Sequence, residues 1–206
     1  MKKILAMLLA LVMVLSLAAC ASTQPAAEPA ASSDAPAESG KTYTVGVCQL
    51  VQHEALDAAT QGFVDALKEA LGDAVTIDVQ NASGDSVNCG TIVNGFVAKG
   101  VDLIMANATP ALTAAVSATA DIPILGTSIT AYGVALDIDD FSGTVGGNIS
   151  GTSDLADLQK QAQMILDWFP ETKTVGLLFC SAEPNSRYQI GEVAKCLSDK
   201  GIETKE

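Results

Sequence analysis

The 206-residue chain has one histidine, His53, followed directly by Glu54. Such a pair has the make-up of a general acid–base couple. A lone histidine just ahead of a helical stretch also suits a helix cap or a contact to a bound solute, and that reading fits these neighbours better. No HExxH, GxSxG or P-loop pattern occurs. Gly143-Thr144-Val145-Gly146-Gly147 is glycine-rich in the manner of a phosphate loop, but it lacks the lysine and follows no strong strand. The five cysteines are Cys20, Cys48, Cys89, Cys180 and Cys196, and their spacings match no zinc or CxxC motif. The four after Cys20 read as small buried apolar residues. With no catalytic set, no metal set and no cofactor motif, the chemistry that remains is binding.

Binding residues have to be positioned, and the apolar pattern supplies the elements. Tyr43-Thr44-Val45-Gly46-Val47 reads as a buried strand. Leu56, Ala59, Phe63, Ala66, Leu67 and Ala70 follow at helical spacing, with Gly72 as the stop. Val75 to Val79 is the next strand. Asp85 or Ser86 caps a helix carrying Ile92, Val93, Phe96 and Val97, with Gly100 just past its end. Val101 to Met105 is a third strand, Thr109-Pro110 a helix opening with Thr109 as N-cap, and Ile122 to Leu125 a fourth strand. Alternating strands and amphipathic helices predict a parallel sheet covered on both faces, an α/β fold of Rossmann-like lobes. Phe141 to Thr152 reads as a connection or hinge. A second unit follows: a helix capped by Ser153 or Asp154 with Leu155, Leu158, Ala162, Ile165 and Phe169 on one face, a strand Val175 to Phe179, and a helix opened by Ser186-Arg187-Tyr188-Gln189. Trp168 reads as packing.

In such sheets ligands bind beyond the carboxyl ends of the strands. That directs attention to Cys48–Glu54, Gln80–Asp85, Ala106–Pro110 and Gly126–Tyr132, and thereby to Gln49, His53, Asp85, Thr109, Ser128 and Tyr132. Thr109-Pro110 and Asn185-Ser186 each begin a helix at a strand's carboxyl side, where unpaired N–H groups attract a carboxylate. Asp85 and Glu183 are placed to pair with an ammonium, and Tyr132 and His53 to flank a ring. The expected solute is a zwitterion, an aromatic or other hydrophobic amino acid. Asp85, Thr109 and Ser186 equally suit the plain role of capping their own helices.

The N-terminus sets the location. Met1-Lys2-Lys3 leads into an apolar run from Ile4 to Leu17, too short for a comfortable membrane span and apt for a signal peptide. Leu17-Ala18-Ala19-Cys20 resembles a bacterial lipobox, which implies an acylated Cys20 and an extracytoplasmic protein anchored in the cell membrane. Ala21 to Gly40 is Ala, Pro, Ser, Glu and Thr with little else, and is expected to be a disordered tether. The formal net charge is −13. That excludes a general nucleic-acid binder and a protein held on anionic lipid by charge. The expected organisation is a leader at 1–20, a tether at 21–40, a first α/β lobe at 41–150 and the start of a second at 151–206.

Several stretches in this order resemble the ABC-transporter substrate-binding lipoproteins of the tryptophan/tyrosine type. They are Gln49 with His53-Glu54-Ala55-Leu56-Asp57-Ala58, Asn81-Ala82-Ser83-Gly84-Asp85, Phe96 to Ile104, Ala108-Thr109-Pro110-Ala111, Asn148 to Asp154, and Glu183-Pro184-Asn185-Ser186. The resemblance implies two lobes of the type I periplasmic-binding-protein kind closing on a solute, and permease subunits as partners. At Thr130-Ala131-Tyr132-Gly133 the chain departs from the Thr-Asp-Pro-like turn of many relatives. A sensory or enzymatic protein of the same fold is the competing reading, since fold does not fix function. The resemblance also implies more strand–helix units in the second lobe. The chain is therefore expected to be cut within that lobe, with Leu158, Ile165, Val193 and Leu197 exposed and Gly201–Glu206 leading toward a further strand.

Overall fold

The computed structural model describes residues 40–206; the leader, Cys20 and the tether up to residue 39 lie outside the described residues. In chain order the elements are β1 (Tyr43–Gln49), α1 (Glu54–Leu71), β2 (Val75–Asn81), α2 (Ser86–Lys99), β3 (Leu103–Asn107), α3 (Thr109–Ala118), β4 (Ile124–Ile129), a short α4 (Tyr132–Ala135) and β5 (Ile149–Ser153). Then come α5 (Leu158–Trp168), β6 (Thr174–Gly176), α6 (Pro184–Ser198) and β7 (Glu203–Lys205). The first five strands form one parallel sheet in the order β2-β1-β3-β4-β5.

Strand alternation sorts the core into two faces. Val45, Val47 and Met105 point toward α1, where Phe63 and Leu67 cover them. Cys48, Ile104, Ala106 and Ile124 point the other way, under Cys89, Val93 and Phe96 of α2 and Ala111, Leu112 and Ala115 of α3. Burying each large side chain of this kind stabilises the fold by about 1.5–3 kcal/mol. Gly46 lies directly beneath the Phe96 ring, where a Cβ would overlap it, so α2 sits close on β1. Helix ends follow local chemistry. His53 Nδ1 accepts from Ala55 N at 3.3 Å, Asp85 Oδ1 accepts from Val87 N at 2.8 Å, and Gly100 ends α2 at φ 65°.

Several boundaries differ from the sequence expectation. The stretch taken as a hinge contains β5, which carries the first sheet through Ser153. It is an edge strand with one large apolar residue, and so lacks the apolar pattern of the others. Helix α5 starts at Leu158 behind an Asp157 cap, not at Ser153 or Asp154, because Asp157 Oδ1 takes the Lys160 N–H at 3.0 Å. Helix α3 has Ala108 as its N-cap and Thr109 as its first residue, and α6 opens at Pro184 rather than Ser186. The strand expected at Val175–Phe179 is Thr174–Gly176, and it does not stand alone. It pairs in parallel with β7, which occupies the tail expected only to lead toward a strand. Leu158 and Leu197 are buried and Ile165 and Val193 half-buried, because α5 and α6 pack on each other. Trp168 is 75% exposed, so the packing role expected for it is not seen, and Leu155 and Phe169 are exposed too.

Candidate functional site

The strand order reverses direction between β1 and β3, with β2 on one side and β4 and β5 on the other. This is the topological switch point, outside whose carboxyl ends open parallel sheets bind their ligands. The last residues of β2, β1 and β3, which are Asn81, Gln49 and Asn107, lie in register there with Thr127 of β4, and all four are polar.

Gln49 is only 4% exposed, and its amide is fully engaged. Its Nε2 donates to Val51 O at 2.8 Å and Asp57 Oδ1 at 2.5 Å, while its Oε1 accepts from Thr60 Oγ1 at 2.6 Å. Thr60 Oγ1 accepts in turn from Asn107 Nδ2 at 2.9 Å, and the same nitrogen donates to Leu56 O at 2.8 Å. Asn107 is fully buried, yet its Oδ1 has no partner. Two residues on, Thr109 is 2% exposed and its Oγ1 also has none. A buried polar atom left unpaired costs about 1–3 kcal/mol, and folds hold few of them.

Ala108, between these two, has φ 90° and ψ 156°, a region that glycine alone occupies freely. Its N–H is held by Thr127 O at 3.0 Å, and its carbonyl accepts from Ala111 N and Leu112 N at 3.1 Å each. This contorted turn places Thr109 at the positive N-terminal end of α3, which favours an anionic group. On the neighbouring strand Ser128 has φ 56°, where the β4–β5 register shifts.

The remaining expected residues fall into three environments. His53 and Asp85 are exposed and cap α1 and α2 from the loops after β1 and β2. Tyr132 is 6% exposed and donates its hydroxyl to Gly126 O at 3.1 Å. It fits against Gly126 and Gly151, at either of which a Cβ would collide with the phenol oxygen. Burial pushes the Tyr132 hydroxyl up to about 12. The ring also walls a cavity of about 340 Å³ with Thr130, Ser153 and Leu155, and with Tyr188 of α6. Glu183, Asn185 and Ser186 stand at the start of α6, on the smaller layer. Glu183 is the N-cap but makes no side-chain cap bond, Asn185 Oδ1 is buried without a partner, and Ser186 is half-buried in the first turn.

Gln49 and the end of β3 are thus joined through Thr60 and Asn107, whereas the Glu183–Ser186 set gathers on another layer. Sequence reasoning passed over Asn107. Its signal was an asparagine closing the otherwise apolar strand Leu-Ile-Met-Ala-Asn. Among the described residues, the unpartnered buried side-chain oxygens of Asn107, Thr109 and Asn185 all sit where a chain segment turns into a helix. An acceptor awaiting a donor beside a helix N-terminus suits a molecule that carries both an N–H or O–H group and an anionic group. No group of three His, Cys, Asp or Glu side chains among the described residues is placed to hold a metal ion.

A family model described as ABC transporter substrate binding protein matches residues 44–206. The tyrosine-binding protein of Clostridioides difficile (strain R20291) is 35% identical over 196 residues, covering 92% of this chain and 55% of that protein. Among solved structures, an ABC domain from Streptococcus pneumonia in complex with L-Trp is 35% identical with a TM-score of 0.74, over 80% of this chain and 56% of that one. A ligand-free, open substrate-binding protein with adhesive properties from Clostridium difficile is 36% identical with a TM-score of 0.60, over 80% and 57%. The chain spans about half the length of these relatives.

Proposed function

Since the chain belongs to the ABC transporter substrate binding protein family and has its type I periplasmic-binding-protein α/β fold, we propose that it captures an aromatic amino acid for an ABC importer. It does so outside the cytoplasm and hands the solute to the permease subunits. The observation that carries this reading is the unpartnered buried hydroxyl of Thr109 at the N-terminus of α3, on the switch point of the sheet. Support for the solute class comes from relatives described as binding tyrosine and L-Trp.

On this reading the α3 N-terminus and the Thr109 hydroxyl take the carboxylate. Asn107 Oδ1, once uncovered, accepts from the ammonium, and Asp85 or Glu183 adds opposite charge. Asn185 and Ser186 close on the solute from the second lobe. His53 and the loop after β4, with Ser128 and Tyr132, border the ring.

Calorimetric titration with L-tryptophan, L-tyrosine, L-leucine and a neutral sugar tests the solute class. The aromatic amino acids bind tightest, and a preference for the sugar contradicts the proposal. Thr109→Val removes the hydroxyl at nearly constant volume. Affinity falls about 10- to 150-fold for a lost bond to a charged group. Stability is kept, because that hydroxyl has no partner in the protein. Unchanged affinity moves the site elsewhere. The proposed lipid anchor rests on Leu17-Ala18-Ala19-Cys20. Cys20→Ala releases the protein from the membrane fraction, and a variant that stays there and still takes up palmitate label refutes the anchor.

A further inference from the structure

Three of the large apolar side chains that stand exposed, Val134, Phe141 and Leu155, line one cavity of about 340 Å³. Ile138 and the rings of Tyr132 and Tyr188 complete its apolar wall. Apolar groups left open around a concavity mark a place where a ligand binds. The cavity lies at the carboxyl ends of β4 and β5, where the chain leaves the sheet. The polar groups beside it are already satisfied. Ser153 Oγ donates to Thr130 O at 2.9 Å and accepts from Leu155 N at 3.3 Å, and Asp154 N donates to Ile129 O at 3.0 Å. Tyr132 is held as well, by the bond from its hydroxyl to Gly126 O and by its close fit against Gly126 and Gly151. A wall fixed in this way needs no reordering when a solute arrives.

We infer that this cavity receives the ring of the bound amino acid, and that Tyr188 and Leu155 set the preference for aromatic side chains over small ones. The inference rests on the amino-acid reading above and adds the side-chain subsite to it. Two relationships join the cavity to Thr109. Tyr132 and Ala108 belong to one buried cluster, and α3 packs against α4. β4 is the neighbour of β3, and β5 lies one strand further. With strands about 4.8 Å apart, the cavity begins roughly 5–10 Å from the end of β3. That is the order of the separation between the carboxylate of an amino acid and its aromatic ring. Tyr188 comes from α6, three residues after Asn185 and so on the same face of that helix. The helix turn that presents Asn185 therefore presents Tyr188 as well. The volume falls near the lower end for small-molecule sites, about 300–1,000 Å³, and suits one ring system. A sugar would bring hydroxyl groups to walls that offer them few partners.

Calorimetric titration of the full chain with L-tryptophan and with L-alanine, the latter taken into the millimolar range, tests this in the wild type and in Leu155→Ser, Tyr188→Ala and Leu155→Trp. Leu155 is exposed, so its variants are expected to keep the fold, which circular dichroism checks. Leu155→Ser weakens L-tryptophan about 10-fold and Tyr188→Ala about 10- to 100-fold, as for burial lost from one large side chain. L-alanine leaves the cavity empty, and its affinity changes less than about 2-fold in both. Leu155→Trp fills the cavity, so it excludes L-tryptophan and spares L-alanine. Thr109→Val, by contrast, weakens both amino acids alike. Equal losses for the two amino acids in the cavity variants, or an unchanged L-tryptophan affinity in all three, overturns the ring subsite and leaves the amino-acid reading standing. A wild-type chain that binds neither amino acid overturns both.

Discussion

Gln49 and Asn107 stand opposite each other in register on β1 and β3, and the Thr60 hydroxyl from α1 joins their amides, accepting from one at 2.9 Å and donating to the other at 2.6 Å. The three side chains form a directed chain of hydrogen bonds that runs on to Asp57, and each donor on it is committed. The unmet demand is at its inner end, on Asn107 Oδ1.

Thr60→Val cuts this chain in the middle and leaves Gln49 Oε1 and an Asn107 N–H without that partner. It destabilises the fold by about 2–4 kcal/mol, the cost of two buried groups left unpaired. Thr60→Ser keeps the hydroxyl and costs under about 1 kcal/mol for the lost methyl. Urea unfolding of the two variants checks this, and equal midpoints would show that the network contributes little.

Ala108 bears a backbone conformation worth about 1–3 kcal/mol of strain in a residue with a Cβ. Ala108→Gly relieves it and loses part of the gain to the freer unfolded chain. The net result is a stabilisation of up to about 1 kcal/mol. A loss of stability in this variant would mean that the turn is held without strain.

Tyr132 links stability to high pH. The hydroxyl titrates at 10.0 in an unperturbed tyrosine and is pushed up to about 12 by burial. Between those values the unfolded chain sheds a proton that the native chain keeps, so stability falls as pH rises through this window. Tyr132→Phe removes that fall and costs about 0.5–1.5 kcal/mol at neutral pH for the lost bond to Gly126 O. A variant whose alkaline stability profile parallels that of the wild type would contradict the assignment.

The first sheet was legible because β1, β3 and β4 carry apolar runs and α1 and α2 carry local stop and start signals, with Gly72, Asp85 and Gly100 where expected. β5 and β7 were not, since Ile-Ser-Gly-Thr-Ser and Glu-Thr-Lys gain their strand character from pairing with β4 and β6. Gly151 shows the point: its lack of a side chain matters because Gly126 and the Tyr132 hydroxyl press against it from distant parts of the chain. Asp85 was readable as a cap for the same local reason as His53. The unpartnered state of Asn107 Oδ1 was not, because it depends on what α1 spends on the other half of the amide.

Amide NMR of the isotope-labelled chain, titrated with L-tyrosine and with its D-enantiomer, tests most directly whether the switch point holds the solute. With the L-form, saturable shifts are expected to concentrate in Leu50–Ala55 and Asn107–Thr113, the segments that leave β1 and β3. Thr109→Val weakens them, and the D-form produces smaller ones. Shifts confined to other parts of the sheet, or no saturable shift with any aromatic amino acid, would contradict a solute site at the ends of β1 and β3.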